Sequence, residues 1–215
     1  FLDNIGVCAL VQANSLQDVS MCVFSANTKD RIRVRSGSTA LDSVMHAMAS
    51  HEGFELAGGD VSVPAGGVLT IDPGVTVFGI DDTAELLLQG RLECLGTMAA
   101  PILLTSVDDS GANTWDGVTF NGSNSSALMQ WTTVRHGGGG NAFSVRATVS
   151  AVNCPDLVME NCTISDIGTG GNDFGLHLSN AVSTISECAF ERCGLAETGS
   201  AALNHVNATT RVEDC

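Results

Sequence analysis

The sequence predicts an all-β chain wound as a parallel β-helix, a solenoid whose coils of about 22–30 residues carry three short strands each. Two observations carry that expectation. The first is composition: 24 glycines, only four prolines, no tyrosine and 44% apolar residues, with Val, Thr, Ser and Asn abundant. Such a mixture suits many short strands joined by tight turns better than helices. The second is a spacing template, Leu-x3-Asn-x4-apolar-x2-Cys-x-apolar. It fits Leu176, Asn180, Ile185, Cys188 and Phe190, then Leu203, Asn207, Val212 and Cys215. It returns near the start as Leu10, Asn14, Val19, Cys22 and Phe24, and in degraded form as Ser150, Cys154, Met159, Cys162, Ile164 and as Phe120, Asn124, Met129, Thr132, Val134. The Cys/Thr position recurs at 132, 162, 188 and 215, in steps of 30, 26 and 27 residues.

A period of that length, made of short alternating segments, is met by coils stacked about 4.8 Å apart in parallel register. Equivalent positions then form columns. Asn14, Asn124, Asn180 and Asn207 are expected as an Asn ladder, because Asn tolerates the left-handed conformation of a sharp corner and stacked amides bond one another. Cys22, Cys162, Cys188 and Cys215 are expected as a column of small apolar side chains in a narrow bore, with Cys154 standing in the Asn column.

Taken in order, residues 1–35 read as terminal coils of such a helix. Residues 36–60 read as an irregular bridging segment. Leu41, Val44, Met45 and Met48 have helical spacing, so Ala40 to Ser50 is either one short amphipathic helix or a loop followed by a strand at Phe54 to Leu56. Residues 61–215 read as the main β-helix. Val61 to Val63, Val68 to Ile71 and Val75 to Phe78 are short strands separated by Pro64–Gly67 and Asp72–Gly74. Leu86 to Leu88, Leu92 to Cys94, Ile102 to Thr105 and Trp115 to Phe120 continue the series.

Several of these segments carry a resemblance. Val63–Val77, Gln89–Thr97, Pro101–Ser106, Trp115–Phe120 and Thr133–Gly138 together resemble the right-handed parallel β-helix (pectin-lyase-like) repeat domains of large bacterial surface and secreted proteins, over roughly Phe54 to Cys215. The resemblance implies a right-handed coil and an extracellular or cell-surface setting. Its members differ widely in activity.

The chain starts without methionine or a signal-like segment, and reads as a mature product or an excised fragment. Placing Phe1 directly after Cys215 puts Leu2 at the apolar template position, with Cys22 one coil on. The expected partner is therefore the chain itself, head to tail through its terminal coils, as a tandem repeat or a filament subunit.

Charge narrows the function further. Charged residues make up 15%, against about 25% in an ordinary domain, and the net charge is −15. Nine cations scattered along the chain give no phosphate-tracking face, so nucleic acid is excluded. No run of 18 apolar residues exists, so membrane insertion through a helix is excluded. Polyuronate-cleaving β-helices line one outer face with clustered Asp and Lys/Arg, since the cleavage needs a metal or acid and a strong cation in one groove. Here Lys29 is the only lysine, the arginines share no template position, and Arg135-His136 before Gly137–Gly140 is the most catalytic-looking pair, so no catalytic residues are assigned. Calcium is the ion an acidic extracellular loop would take, and Asp108, Asp109, Asn113 and Asp116 form the densest oxygen-rich stretch, read otherwise as a solvated loop. No other cofactor is expected. The eight cysteines read as buried thiols, with oxidation between neighbouring coils the alternative. The expected function is a non-enzymatic structural or adhesive segment of an extracellular polymer. A carbohydrate-active or carbohydrate-binding β-helix, touching surface polysaccharide, is the alternative.

Overall fold

In the computed structural model, which describes residues 6–24, 27–111, 113–139, 146–168, 173–193 and 200–215, the chain is a parallel β-solenoid of about seven turns. Strand β1 (Val7–Gln12) and a 3-10 helix (Ala13–Asp18) come first. Then follow β2 (Lys29–Ser38), β3 (Asp42–Met45), β4 (Gly53–Val63) and β5 (Val68–Ile71). The next coils are β6 (Thr76–Gly79), β7 (Glu85–Leu88) and β8 (Arg91–Leu95), then β9 (Ile102–Ser106), β10 (Gly117–Asn121) and β11 (Ser126–Gln130). After them stand β12 (Thr132–Arg135), β13 (Arg146–Val152) and β14 (Asp156–Glu160), and β15 (Thr163–Ser165), β16 (Asp173–Ser179) and β17 (Val182–Ser186). The last coil holds β18 (Ala189–Glu191), β19 (Ala201–Val206) and β20 (Thr209–Glu213).

These strands build three faces. The first runs from β1 through the leading halves of β2 and β4 to β6, β9, β12, β15 and β18. The second runs from the trailing half of β4 through β7, β10, β13 and β16 to β19. The third is β3, β5, β8, β11, β14, β17 and β20. The period of two sends alternate residues inward, and in-register stacking turns them into apolar columns. Ile32, Phe54, Val77, Leu104, Val134, Ile164 and Phe190 form one. Val61, Leu86, Val118, Val149, Leu176 and Leu203 form another. Each fully buried side chain of this size adds about 1.5–3 kcal/mol, and each coil rests mainly on its neighbours, so stability accumulates along the axis.

The N-terminal third differs from the sequence reading. Residues 36–60 are not a break: they hold the end of β2, all of β3 and most of β4. No helix forms over Ala40–Ser50. Ser43 and Met45 are buried while Asp42 is exposed and Val44 half-buried, a period of two rather than 3.6. Strands β2 and β4 run unbroken from the first face onto the second, past irregular pairing between Arg35 and Gly37 and the positive φ of Gly58 and Gly59. Leu2, which links the two chain ends in the template, lies outside the described residues.

The Asn ladder is also displaced. The register pairs Val149 with Leu176 and Met159 with Ile185, which puts Asn153 at the ladder position and Cys154 one residue past it. Only one extra residue between Asn153 and Met159 hides this in the sequence. The ladder is Gly122, Asn153, Asn180 and Asn207, all with positive φ. Each of the first three donates its N–H to the coil above, to the carbonyls of Val152, Ser179 and Val206. Asn180 Nδ2 donates to Asn153 Oδ1 at 3.3 Å. Asn124 sits in the exposed turn two residues beyond Gly122, and Asn14 sits inside the 3-10 helix, so neither belongs to the ladder. The triangular section needs left-handed residues at two further corners: Trp131, Asn161, Glu187 and Asp214 at one, His136, Asp166 and Arg192 at the other.

Candidate functional site

Three surfaces bear on function: the ends of the solenoid, the loops that leave the first face, and the polar groups those loops cover.

At the C-terminal end β18, β19 and β20 present unpaired strand edges on all three faces. Between them opens an apolar hollow of about 660 Å³ walled by Cys188, Phe190, Leu203 and Val212 and rimmed by Cys215. Val212 stacks inward on Ile185 and is still 49% exposed. The N-terminal end is different. There the outermost strands are β1 on the first face, the trailing half of β2 on the second and β3 on the third, and the 3-10 helix closes the bore with Leu16 and Ala13, both buried, beside the equally buried Phe24. Leu10, Met21 and Val23 remain exposed on that coil.

The thiols line this axis. Thr132, Cys162, Cys188 and Cys215 follow one another in a column, each donating to the carbonyl two residues before it: Gln130, Glu160, Ser186 and Glu213. The hydrogen bond between Cys162 and Cys188 pushes the Cys188 thiol down, to about 7, and the Cys162 thiol up, while burial pushes Cys94 up to about 12. Cys22 is not in this column. It lies outside any strand in the first coil and donates to Ser20 O. All eight cysteines are free. A thiol-reagent titration is therefore expected to count eight in denaturant, with exposed Cys215 reacting first in the folded chain and Cys94, Cys154 and Cys162 silent. A denatured count near zero would overturn this.

The loop from Ser106 to Asp116 distributes the four oxygen-bearing residues in different directions. Asp109 accepts a hydrogen bond from Thr105 and an ion pair from Arg135. Burial works to raise its pKa, but those hydrogen bonds prevail and hold it below the usual value. Asn113 donates to Asp173 and accepts from the Gly168 N–H. Asp108 lies at the surface, and Asp116 turns toward Glu85. The calcium reading of Asp108, Asp109, Asn113 and Asp116 thus meets four residues that do not converge. Among the described residues no group of three or more His, Cys, Asp or Glu could hold a metal ion. Arg135-His136 is likewise engaged: Arg135 holds Asp109, and His136 is a buried corner residue 3.7 Å from the same carboxylate.

A buried acid pair was not foreseen. Trp115 packs on Gly79, where a Cβ would come within 2.5 Å of the Trp115 Cβ, and its indole donates to Arg135 O at 2.9 Å. The Gly137–Gly139 segment packs against the end of this loop, where a Cβ at Gly139 would lie 3.0 Å from Asp116 Oδ1, and Glu85 at the start of β7 and Asp116 just before β10 are only 1% and 7% exposed. Glu85 Oε1 and Asp116 Oδ1 have no hydrogen-bond partner among the described residues. Burial, then Glu85, Asp60, Asp82 and Asp81, drive the Asp116 carboxyl up to about 7. Burial also raises Glu85. Acid–base hydrolysis of a polysaccharide uses two carboxylates with the scissile bond between them, whereas these two are closed off from solvent at 1% and 7% exposure.

Taken together, the columns, the left-handed corners and the open edges define a parallel β-solenoid. The chain matches no protein-family model, and neither the curated proteins nor the solved structures give a significant match.

Proposed function

We propose that this chain is a structural segment of an extracellular or cell-surface β-solenoid, extended by coil-on-coil stacking at its C-terminal end. The observation that carries the reading is the last coil: three strand edges and an apolar hollow with inward-facing Leu203 and Val212 partly uncovered. Exposed parallel edges recruit further strands, and the surface is complementary to another coil of the same kind. The occupant is a second copy of this chain, its first coil laid on the last coil of its neighbour. The 3-10 helix at the other end makes the two ends unequal, so growth is directional. Low charge on the coils and carboxylates in the outer loops fit a soluble rod.

The test is assembly of the purified chain. Light scattering and electron microscopy are expected to show concentration-dependent end-to-end particles, abolished in Leu203→Lys/Val212→Lys. Circular dichroism of that variant checks that its coils remain folded. A wild-type chain that stays monomeric at several hundred micromolar would overturn the proposal.

A further inference from the structure

Four of the nine cations stand on one strand, at alternate positions of β2: Lys29, Arg31, Arg33 and Arg35. Because Ile32 and Val34 are buried in the bore, the period of two throws the charged residues outward. Arg31 and Arg33 hold Glu55. Arg33 donates through Nε and Nη2 to Glu55 Oε2 at 3.0 and 2.8 Å, which fixes the plane of its guanidinium. Its Nη1 has no partner among the described residues, and neither the Arg35 guanidinium nor the Gln12 amide has one. Gln12 lies directly beside Arg35, and Leu10 beside Arg33, in the β1–β2 register.

These groups meet at a cavity of about 410 Å³ where β2 and β4 turn the corner between two faces. Leu10, Gln12, Arg33, Arg35, Ser36 and Gly58 wall it. Gly58 has a positive φ and only the distant Ser36 hydroxyl near its Cβ position, so the floor stays open. No carboxylate lines the cavity, in a chain with 24 acids and nine cations. Two guanidinium groups, one of them locked in plane, with an amide and a hydroxyl alongside, offer donors and no anionic acceptor. That set recognises the parallel oxygens of a carboxylate, phosphate or sulfate, and the cations lined along β2 give this corner a local positive excess in a chain whose net charge is −15.

We propose that this corner cavity is an oxyanion-binding site, with Arg35 and Arg33 as its charged contacts and Gln12 as a polar one. The proposal is independent of end-to-end stacking.

The test is calorimetric titration of the full chain with sodium sulfate, phosphate and acetate, with chloride keeping the ionic strength constant. Dextran sulfate forms a parallel arm. Saturable one-to-one binding of at least one small oxyanion is expected. Arg35→Gln is expected to weaken it by about tenfold or more, the scale of a lost charged hydrogen bond, with unchanged thermal unfolding in chloride. Arg35→Lys should fall between, because it keeps the charge and loses the planar fork. Tighter, Arg35-dependent binding of dextran sulfate would identify an oxyanion carried on a polymer. Binding of the small ions alone would identify a free one. Absence of saturable binding above chloride, or affinity unchanged in Arg35→Gln, would overturn the site.

Discussion

At pH 8, Asp116→Asn is expected to be more stable than the wild-type chain, by on the order of 4 kcal/mol. The sign follows from where the proton sits. The folded chain holds the Asp116 proton up to about pH 7, while an unfolded Asp releases it near pH 4. Between those values the folded state binds more protons than the unfolded one, so stability falls as pH rises from about 4 through 7 and levels off above. Asn carries no proton to lose and removes the repulsion with Glu85. The two chains should thus unfold at nearly the same temperature at pH 4 and diverge by about 10 °C at pH 8. Thermal unfolding monitored by circular dichroism across that range is the measurement. Parallel curves for the two chains would show that Asp116 is not held protonated by its surroundings.

That acid pair marks the boundary of what could be read from residues alone. In the second half of the chain, coils of nearly equal length let equivalent residues recur at nearly equal spacing. Leu176 and Leu203, Ile185 and Val212, and Cys188 and Cys215 could be aligned because the physical register of β16, β17, β19 and β20 has no insertion between them. One added residue before Met159 was enough to shift Asn153 out of view and bring Cys154 into its place. Near the start the pattern fails for another reason. The strands β2 and β4 pass a corner at Gly37 and at Gly58-Gly59, where glycines read as a break, while the backbone stays paired. Leu41, Val44, Met45 and Met48 mimic a helical stripe because exposed Leu41, at a corner, carries no mark that separates it from buried Met45. The corners at Trp131 and His136 are unreadable in principle, since a bulky residue with positive φ is held by its stacked neighbours rather than by its own preference. Glu55, Glu85 and Asp116 all occupy positions next to the outer surface, where alternation predicts solvent. Their burial comes from groups far away in sequence.

Glu55→Gln is expected to cost about 2–3 kcal/mol, toward the low end for breaking a buried ion pair, because Lys29 and Arg33 keep part of their hydration. Glu55 stands in the outward row between Arg33 and Phe78, yet its side chain is fully buried. The cover is Arg31, whose guanidinium lies 3.8 Å over the Phe78 ring and donates to Val107 O at 3.1 Å while reaching Glu55 at 3.4 Å. Lys29 adds a contact at 3.9 Å. One carboxylate thus holds three cations that would otherwise repel one another on a single strand. Gln keeps the shape, but it loses the charge and turns a donor toward three donors. Urea unfolding of Glu55→Gln, Arg33→Gln and the double variant measures the coupling directly. The loss in the double variant should be smaller than the sum of the single losses by about 1 kcal/mol or more, as for groups in one network. Simple additivity would show that Glu55 and Arg33 act separately, and would also remove the reason for regarding Arg33 as a fixed wall of the neighbouring cavity.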